Sequence, residues 1–322
     1  MKFIPIFALL LFCNCTMPKD QFAEKIVIAH RGASGYLPEH TMESKAMAFA
    51  MNPDYIEQDI VLSKDDVPIV IHDIFLEEVT NVKKVFPERN RSDGRYYVID
   101  FTLNELKLLS VHERIHLGTK KAVFPGRYPL EESDFRLHTL SEEISMIQGL
   151  NKSTGKNIGI YPEIKKPGFH KKNGKEISSI VLKVLDSFGY SKKSDPCILQ
   201  CFDAVELRRI REELDSDLFL TQLIELPEGF ENLEIYSSYA DAIGPSIEQL
   251  ILYAHGKTET EKKSLIERCR GLNLKIHAYT FRADEHPNFE TFEDLLNFSF
   301  KEMEIDGGFT DFPDVLKAYF KD

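Results

Sequence analysis

The chain has 322 residues, 43% of them hydrophobic, with 17 Gly and 15 Pro; this excludes wholesale disorder and low-complexity fibres and allows one large domain or two modest ones. Its 40 basic against 52 acidic residues give a formal net charge of -12, which excludes a general nucleic-acid binder because such a protein needs a basic face. An anionic substrate must then be held by local positive charge.

Met1-Lys2 and an uncharged apolar run from Phe3 to Phe12 open the chain, followed by Cys13-Asn14-Cys15. The run has the length of a secretory h-region and is too short to span a bilayer. A cysteine directly after it reads as a lipoprotein signal, the alternative being a plain cleaved signal with incidental cysteines. Cys15 is the better lipidation site, because Asn14 before it is smaller than the Phe12 that precedes Cys13. The expectation is a signal at 1–15, a tether at 16–24, and an exported periplasmic or cell-surface lipoprotein held to a membrane by its N-terminal lipid.

From residue 26 onward, β-like apolar runs alternate with helical patterns. The spacing predicts a strand at Ile26–His30 and a helix at Thr41–Met51 with Thr41 as N-cap, then strands at 55–62 and 67–72. Beyond 138, helices are predicted at Leu140–Leu150, 176–188, 204–214, 259–271 and 289–300. Strands are predicted at 158–164, 196–202, 218–224, 240–244 and 274–281, with a final one through Phe309. The 204–214 helix has an apolar stripe through Val205, Leu207, Ile210 and Leu214. This alternation implies a mostly parallel sheet, and the number of units and the chain length favour a closed (β/α)8 barrel, the TIM barrel, over an open doubly wound sheet. Gly32-Ala33-Ser34-Gly35 after the first strand lacks the spacing of a dinucleotide fingerprint.

Two irregularities interrupt the alternation. The runs 55–62 and 67–72 are too close for a helical crossover and must form an antiparallel hairpin. A turn centred on Asp65-Asp66 would set Asp59 opposite His72, with Glu57 on the same face. Residues 74–138 are too long for a plain loop and read as a small inserted subdomain capping the C-terminal face of the barrel, with a short helix at Leu103–Leu109; the barrel domain as a whole spans 25–322.

The chemistry concentrates at strand ends: His30-Arg31-Gly32, Glu57-Gln58-Asp59, His72-Asp73 and Tyr161-Pro162-Glu163-Ile164-Lys165. Glu57, Asp59 and Glu163 are three carboxylates expected at one end of one barrel, costly to gather unless a cation neutralises them. An all-oxygen set suits Mg²⁺ or Ca²⁺; the bland alternative is salt bridging to Lys or Arg. His30 and His72 suit general acid/base work beside such a cation. Arg31 and Lys165 supply positive charge for a phosphate, and Phe202 and Tyr279 end later strands where they can line the pocket. The remaining histidines lie in loops or the insertion and carry no comparable context. Cys197, Cys201 and Cys269 read as buried small hydrophobes; Cys197 and Cys201, four positions along one strand and roughly 13 Å apart, are too distant for a bridge, and no second ligand pair supports a zinc site.

These residues carry a resemblance. Ala29 to Thr41, Glu57-Gln58-Asp59, Val70-Ile71-His72-Asp73, Asp93 to Tyr97 with Ile99 to Leu103, Tyr161 to Lys165, His277 to Arg282 and Phe309 to Asp314 together resemble the glycerophosphodiester phosphodiesterase family, in its periplasmic or surface-lipoprotein branch. The likeness runs from Ile28 to Pro313 and is specific as a set. It implies a TIM barrel, hydrolysis of deacylated phospholipids to an alcohol and glycerol 3-phosphate, and a divalent cation, calcium in that branch. It places the catalytic histidine pair on His30 and His72, the metal carboxylates on Glu57, Asp59 and Glu163, the phosphate-binding arginine on Arg31, and the Glu-x-Lys lysine on Lys165. Two departures stand out: Asp65-Asp66 replaces the usual Asp-Gly turn, and Gly308 replaces a bulky apolar residue, which is expected to loosen the apolar side of the glycerol pocket. Two rival functions are a lysophospholipase D-like activity, which would need an apolar groove at the mouth, and a surface lipoprotein that binds a host protein.

Overall fold

The computed structural model describes residues 25–130, 134–225, 227–286 and 288–321; the expected signal, the tether and Cys15 lie outside the described residues. In chain order the strands are β1 (Ile26–Ala29), β2 (Tyr55–Leu62), β3 (Pro68–Val70), β4 (Ser110–Val111), β5 (Phe135–Arg136), β6 (Gly159–Ile164), β7 (Ile198–Cys201), β8 (Phe219–Ile224), β9 (Ala242–Pro245), β10 (Lys275–Phe281) and β11 (Gly307–Thr310). The parallel order β1-β11-β10-β9-β8-β7-β6-β2 is closed by a β1–β2 pairing, so eight strands form a barrel, with β3 added antiparallel to the outside edge of β2. The expected TIM barrel is therefore present. No described helix is long and apolar enough to cross a membrane.

The strand period of two sorts the residues. Ile28, Tyr161, Ile198 and Phe309 point inward and fill the barrel with aromatic and branched side chains. Tyr161 is buried there with its hydroxyl bonded to Thr221 Oγ1 at 2.6 Å and His277 Nδ1 at 2.8 Å, so His277 is a satisfied core histidine. Outward residues such as Ile56, Ile60, Ile160 and Ile164 pack under the helix layer with Ile144, Ile147 and Val181. Gln58 breaks that apolar row because it joins a buried network: its Nε2 donates to Glu143 Oε1 at 2.8 Å, Glu143 meets His138 Nε2 at 2.7 Å, and Lys45 lies 3.3 Å from Glu143. Lys45 also donates to the carbonyl of Glu57, tying this outer network to the strand that carries the site.

Helix boundaries follow local signals. Thr41 caps Met42–Met51 by accepting from Ser44 N, and Thr139 caps Leu140–Thr154 in a capping box with Glu142. The region expected as one helix at 176–188 holds Ile177–Ser187, preceded by a separate helix at Pro167–Lys172. A helix at Ile247–Ala254, not foreseen, starts from a Ser246–Gln249 capping box. Val205 does not belong to the apolar stripe: it is 81% exposed, in the first turn of Ala204–Glu212, while Leu207 and Ile210 are buried.

The hairpin differs from expectation by one residue. Its register pairs Ile60 with Val70, so Asp59 faces Ile71, whose N–H donates to Asp59 O at 2.9 Å. Ser63 N–H donates to Val67 O at 3.0 Å, so three residues, not two, form the turn, with Asp66 in the left-handed region at φ 62°. His72 is not opposite Asp59. It lies past the end of β3, where the chain has left the ladder.

Residues 74–138 run between the hairpin and the Leu140 helix. They build an apolar cluster of their own, including Leu76, Val82, Phe101, Leu106 and Val111, seated on Val61, Ile69 and Ile71 of the hairpin. The short helix there covers Leu103–Leu106.

Candidate active site

Strand register builds the site as a row. Asp59 on β2 pairs with Glu163 on β6, and Glu163 pairs with Gln200 on β7. Glu57, two residues before Asp59, points to the same interior. His30 and Arg31 follow β1, the neighbour of β2 on its other side. The chain turns sharply there, with Arg31 at φ 58° and Gly32 at φ 98°; a Cβ on Gly32 would lie 2.9 Å from the Ser44 backbone, so only glycine fits. This turn aims the Arg31 N–H at Glu57 Oε2, 2.8 Å away.

A cavity of about 170 Å³ opens at the C-terminal end of the barrel, and every expected site residue among those described lines it: His30, Arg31, Glu57, Asp59, His72, Glu163, Lys165, Phe202 and Tyr279. Phe202 and Tyr279 meet edge to face at 5.9 Å, and the Tyr279 hydroxyl donates to Ile224 O at 2.8 Å. Gly308 does not reach the cavity. A Cβ there would press on Phe281 and Phe300, so the position faces the outer layer and leaves the apolar wall, which includes neighbouring Phe309, unaltered.

The electrostatics are those of crowded, desolvated carboxylates. One oxygen from each of Glu57, Asp59 and Glu163 lies within 4.8 Å of the others, with all three residues buried. Burial and then Asp59 raise Glu57 well above the usual carboxylate range, and the same two causes raise Glu163 to about 8. Asp59 goes the other way: despite its burial, Lys165, His72 and His40 hold it well below that range. Lys165 bridges the row, 2.7 Å from Glu163 and 3.3 Å from Asp59. Gln200 Oε1 is buried without a hydrogen-bond partner, and Asp59 Oδ1 has only the ion-pair contact with Lys165. An orphaned oxygen beside carboxylates that cannot all ionise is what a hard divalent cation resolves, so the donor set fits Ca²⁺ or Mg²⁺. Among the described residues this trio is the cluster able to hold a metal; Cys197, Cys201 and Cys269 are free and buried, as expected.

Each histidine of the pair has its Nδ1 on an aspartate. His30 Nδ1 is 2.5 Å from Asp311 Oδ1, and His72 Nδ1 is 3.0 Å from Asp73 Oδ1. Each therefore presents Nε2; that of His30 lies 3.9 Å from Glu57 Oε2. Burial, then the Arg31 charge, pushes both down to about 4, so both are neutral at pH 7. Arg31 is anchored by Glu39 at 3.0 Å and lies 3.6 Å from Asp59.

Sequence reasoning missed several contributors. His40, set aside among the remaining histidines, donates from Nε2 to Asp59 Oδ2 at 2.7 Å; burial and Lys45 push it down to about 3. It directly follows Glu39, so its place in the Glu39-His40-Thr41 motif was the available signal. Asp311, Gln200 and Arg282 also join the site, and Arg114, from the segment between the hairpin and the Leu140 helix, clamps Glu39 at 2.7 Å and Asp73 at 2.7 Å.

Known proteins resemble this chain in sequence and in fold. Over 333 aligned residues the chain is 45% identical to a glycerophosphodiester phosphodiesterase of Haemophilus influenzae, covering 93% of this chain and 90% of that one. It is 36% identical to one from Treponema pallidum, with 91% of each covered. Among solved structures it resembles an Oleispira antarctica phosphodiesterase in complex with the product sn-glycerol-3-phosphate (TM-score 0.65, 20% identity, 92% of this chain and 97% of that one). It also resembles a glycerophosphodiester phosphodiesterase of Agrobacterium tumefaciens (TM-score 0.60, 18% identity, 91% and 99% covered); at these identities the likeness speaks to the fold. The model of the glycerophosphoryl diester phosphodiesterase family matches residues 30–315, and the chain is an enzyme belonging to that family.

Proposed function

We propose that this enzyme hydrolyses glycerophosphodiesters to glycerol 3-phosphate and an alcohol, using His30 and His72 as an acid/base pair beside a divalent cation. The observation that carries the reading is the convergence of both aspartate-held histidines and the carboxylate trio on one cavity. Glu57, Asp59 and Glu163 would hold the cation, Ca²⁺ with Mg²⁺ as the alternative, and it would supply positive charge to the phosphoryl oxygens. Arg31 and Lys165 orient and neutralise the phosphodiester from the same side. One histidine, neutral at pH 7, takes the proton of the nucleophile at Nε2, and the other protonates the leaving alcohol. The entering phosphodiester anion raises the pKa of the donor, which supplies its proton at neutral pH. Phe202 and Tyr279 give the polyol an apolar face to pack on.

Product analysis tests the reading. Glycerophosphocholine is expected to yield choline and glycerol 3-phosphate; phosphocholine and glycerol would place the cleavage on the wrong side of phosphorus. We also propose that Cys15 carries a lipid, so the enzyme is exported and anchored to a membrane. The support is the Phe3–Phe12 run ending at Cys13-Asn14-Cys15. Radiolabelled palmitate is expected in the wild type and absent from Cys15→Ser. Label lost only in Cys13→Ser would move the anchor, and no label in the wild type would remove it.

A further inference from the structure

We propose that Arg127, contributed by the 74–138 insertion, is a positioning residue for His30 that acts through Asp311. The inference rests on the reading of His30 as a proton-transfer residue. Arg127 is absent from the lining of the 170 Å³ cavity and sits behind it, in a smaller adjoining hollow shared with His30, Arg282 and Asp311. Its side chain is 4% exposed, and its guanidinium lies over the Phe124 ring at 3.7 Å and 5.6 Å from that of Phe312. From there Nη2 donates to Asp311 Oδ2 at 2.8 Å, and Arg282 Nε donates to the same oxygen at 2.9 Å. The other oxygen of Asp311, Oδ1, is the one that meets His30 Nδ1.

A carboxylate with one oxygen pinned by two guanidinium groups cannot rotate, and its second oxygen then fixes both the tautomer and the ring plane of the histidine it holds. Asp311 is buried, and His30 first, then Arg282 and Arg127, hold its carboxyl well below the usual carboxylate range. Arg282 lines the cavity and can be drawn toward substrate; Arg127 stays behind it. It is held in place by Asp284 at 2.9 Å and the Ser34 carbonyl at 3.3 Å. The insertion thus completes the acid/base apparatus instead of merely covering it.

Steady-state kinetics on glycerophosphocholine, with thermal melts, tests this in full-length protein. Arg127→Gln is expected to lower kcat about tenfold or more, leaving KM within twofold. Arg127→Lys keeps a charge without the fork and retains part of kcat. In an Asp311→Asn background, Arg127→Gln adds little further loss, because the two act as a unit. An unchanged kcat in Arg127→Gln, a defect confined to KM, or a full additional loss in the Asp311→Asn background overturns the inference. If Arg127→Gln does not fold, Arg127→Lys carries the same reading: partial kcat loss supports it and wild-type kcat overturns it. His30→Ala separates the two levels. If it keeps wild-type kcat, the proposed function falls; if it is inactive while Arg127→Gln is normal, only the role of Arg127 falls.

Discussion

Replacing His30 or His72 by alanine is expected to reduce kcat on glycerophosphocholine by roughly 10²–10⁴-fold with little change in KM. Each ring offers Nε2 to the cavity while its Nδ1 is taken by Asp311 or Asp73, so each matters when a proton moves and little when substrate merely binds. The double variant should lose far less than the product of the single losses. A substrate with a p-nitrophenol leaving group needs no proton donor, so it should rescue the variant lacking the acid and not the one lacking the base. That asymmetry assigns the two roles. Near-wild-type kcat in either single variant, or a defect confined to KM, would reduce that histidine to a substrate or structural contact.

The second large effect is expected at Glu163. Glu163→Gln removes one of three crowded carboxylates and should weaken Ca²⁺ binding, read by calorimetry, by about 100-fold or more. The metal-free protein should melt near the wild-type temperature, since Glu163, raised to about 8, is largely protonated there at neutral pH, the amide has the same shape, and Lys165 stays paired with Asp59. Wild type at 100 times its dissociation constant for Ca²⁺ should gain about 2.7 kcal/mol of stability, and the variant should gain almost none. Unchanged affinity in Glu163→Gln would remove this residue from the ligand set.

The sequence made the barrel and the trio legible for one reason: a parallel barrel collects the ends of its strands, and a period of two says which residues there point inward. Glu57, Asp59 and Glu163 follow from those two rules. His40 and Asp311 do not. His40 reaches Asp59 only because the chain takes left-handed turns at Arg31, Gly32 and at His40 itself (φ 55°). Asp311 meets His30 only because the barrel closes, pairing Ala29 with Thr310 across 281 residues of sequence. The hairpin register failed by one because the turn holds three residues with Asp66 left-handed, a property of backbone geometry that Asp65-Asp66 does not announce. Gly308 misled for the opposite reason: its neighbour Phe309 faces the cavity, and alternation sends Gly308 outward against Phe281 and Phe300. The contacts of Arg114 with Glu39 and of Arg127 with Asp311 span 75 and 184 residues of sequence, which no local pattern encodes.

Cleavage is expected to depend on a cation held by Glu57, Asp59 and Glu163, and the decisive measurement is turnover of glycerophosphocholine by enzyme stripped with chelator, then titrated with Ca²⁺ and separately with Zn²⁺. Activity should be lost on stripping and recovered with Ca²⁺ better than with Zn²⁺, because the donors are all hard oxygens. Full turnover in demonstrably metal-free enzyme would contradict it.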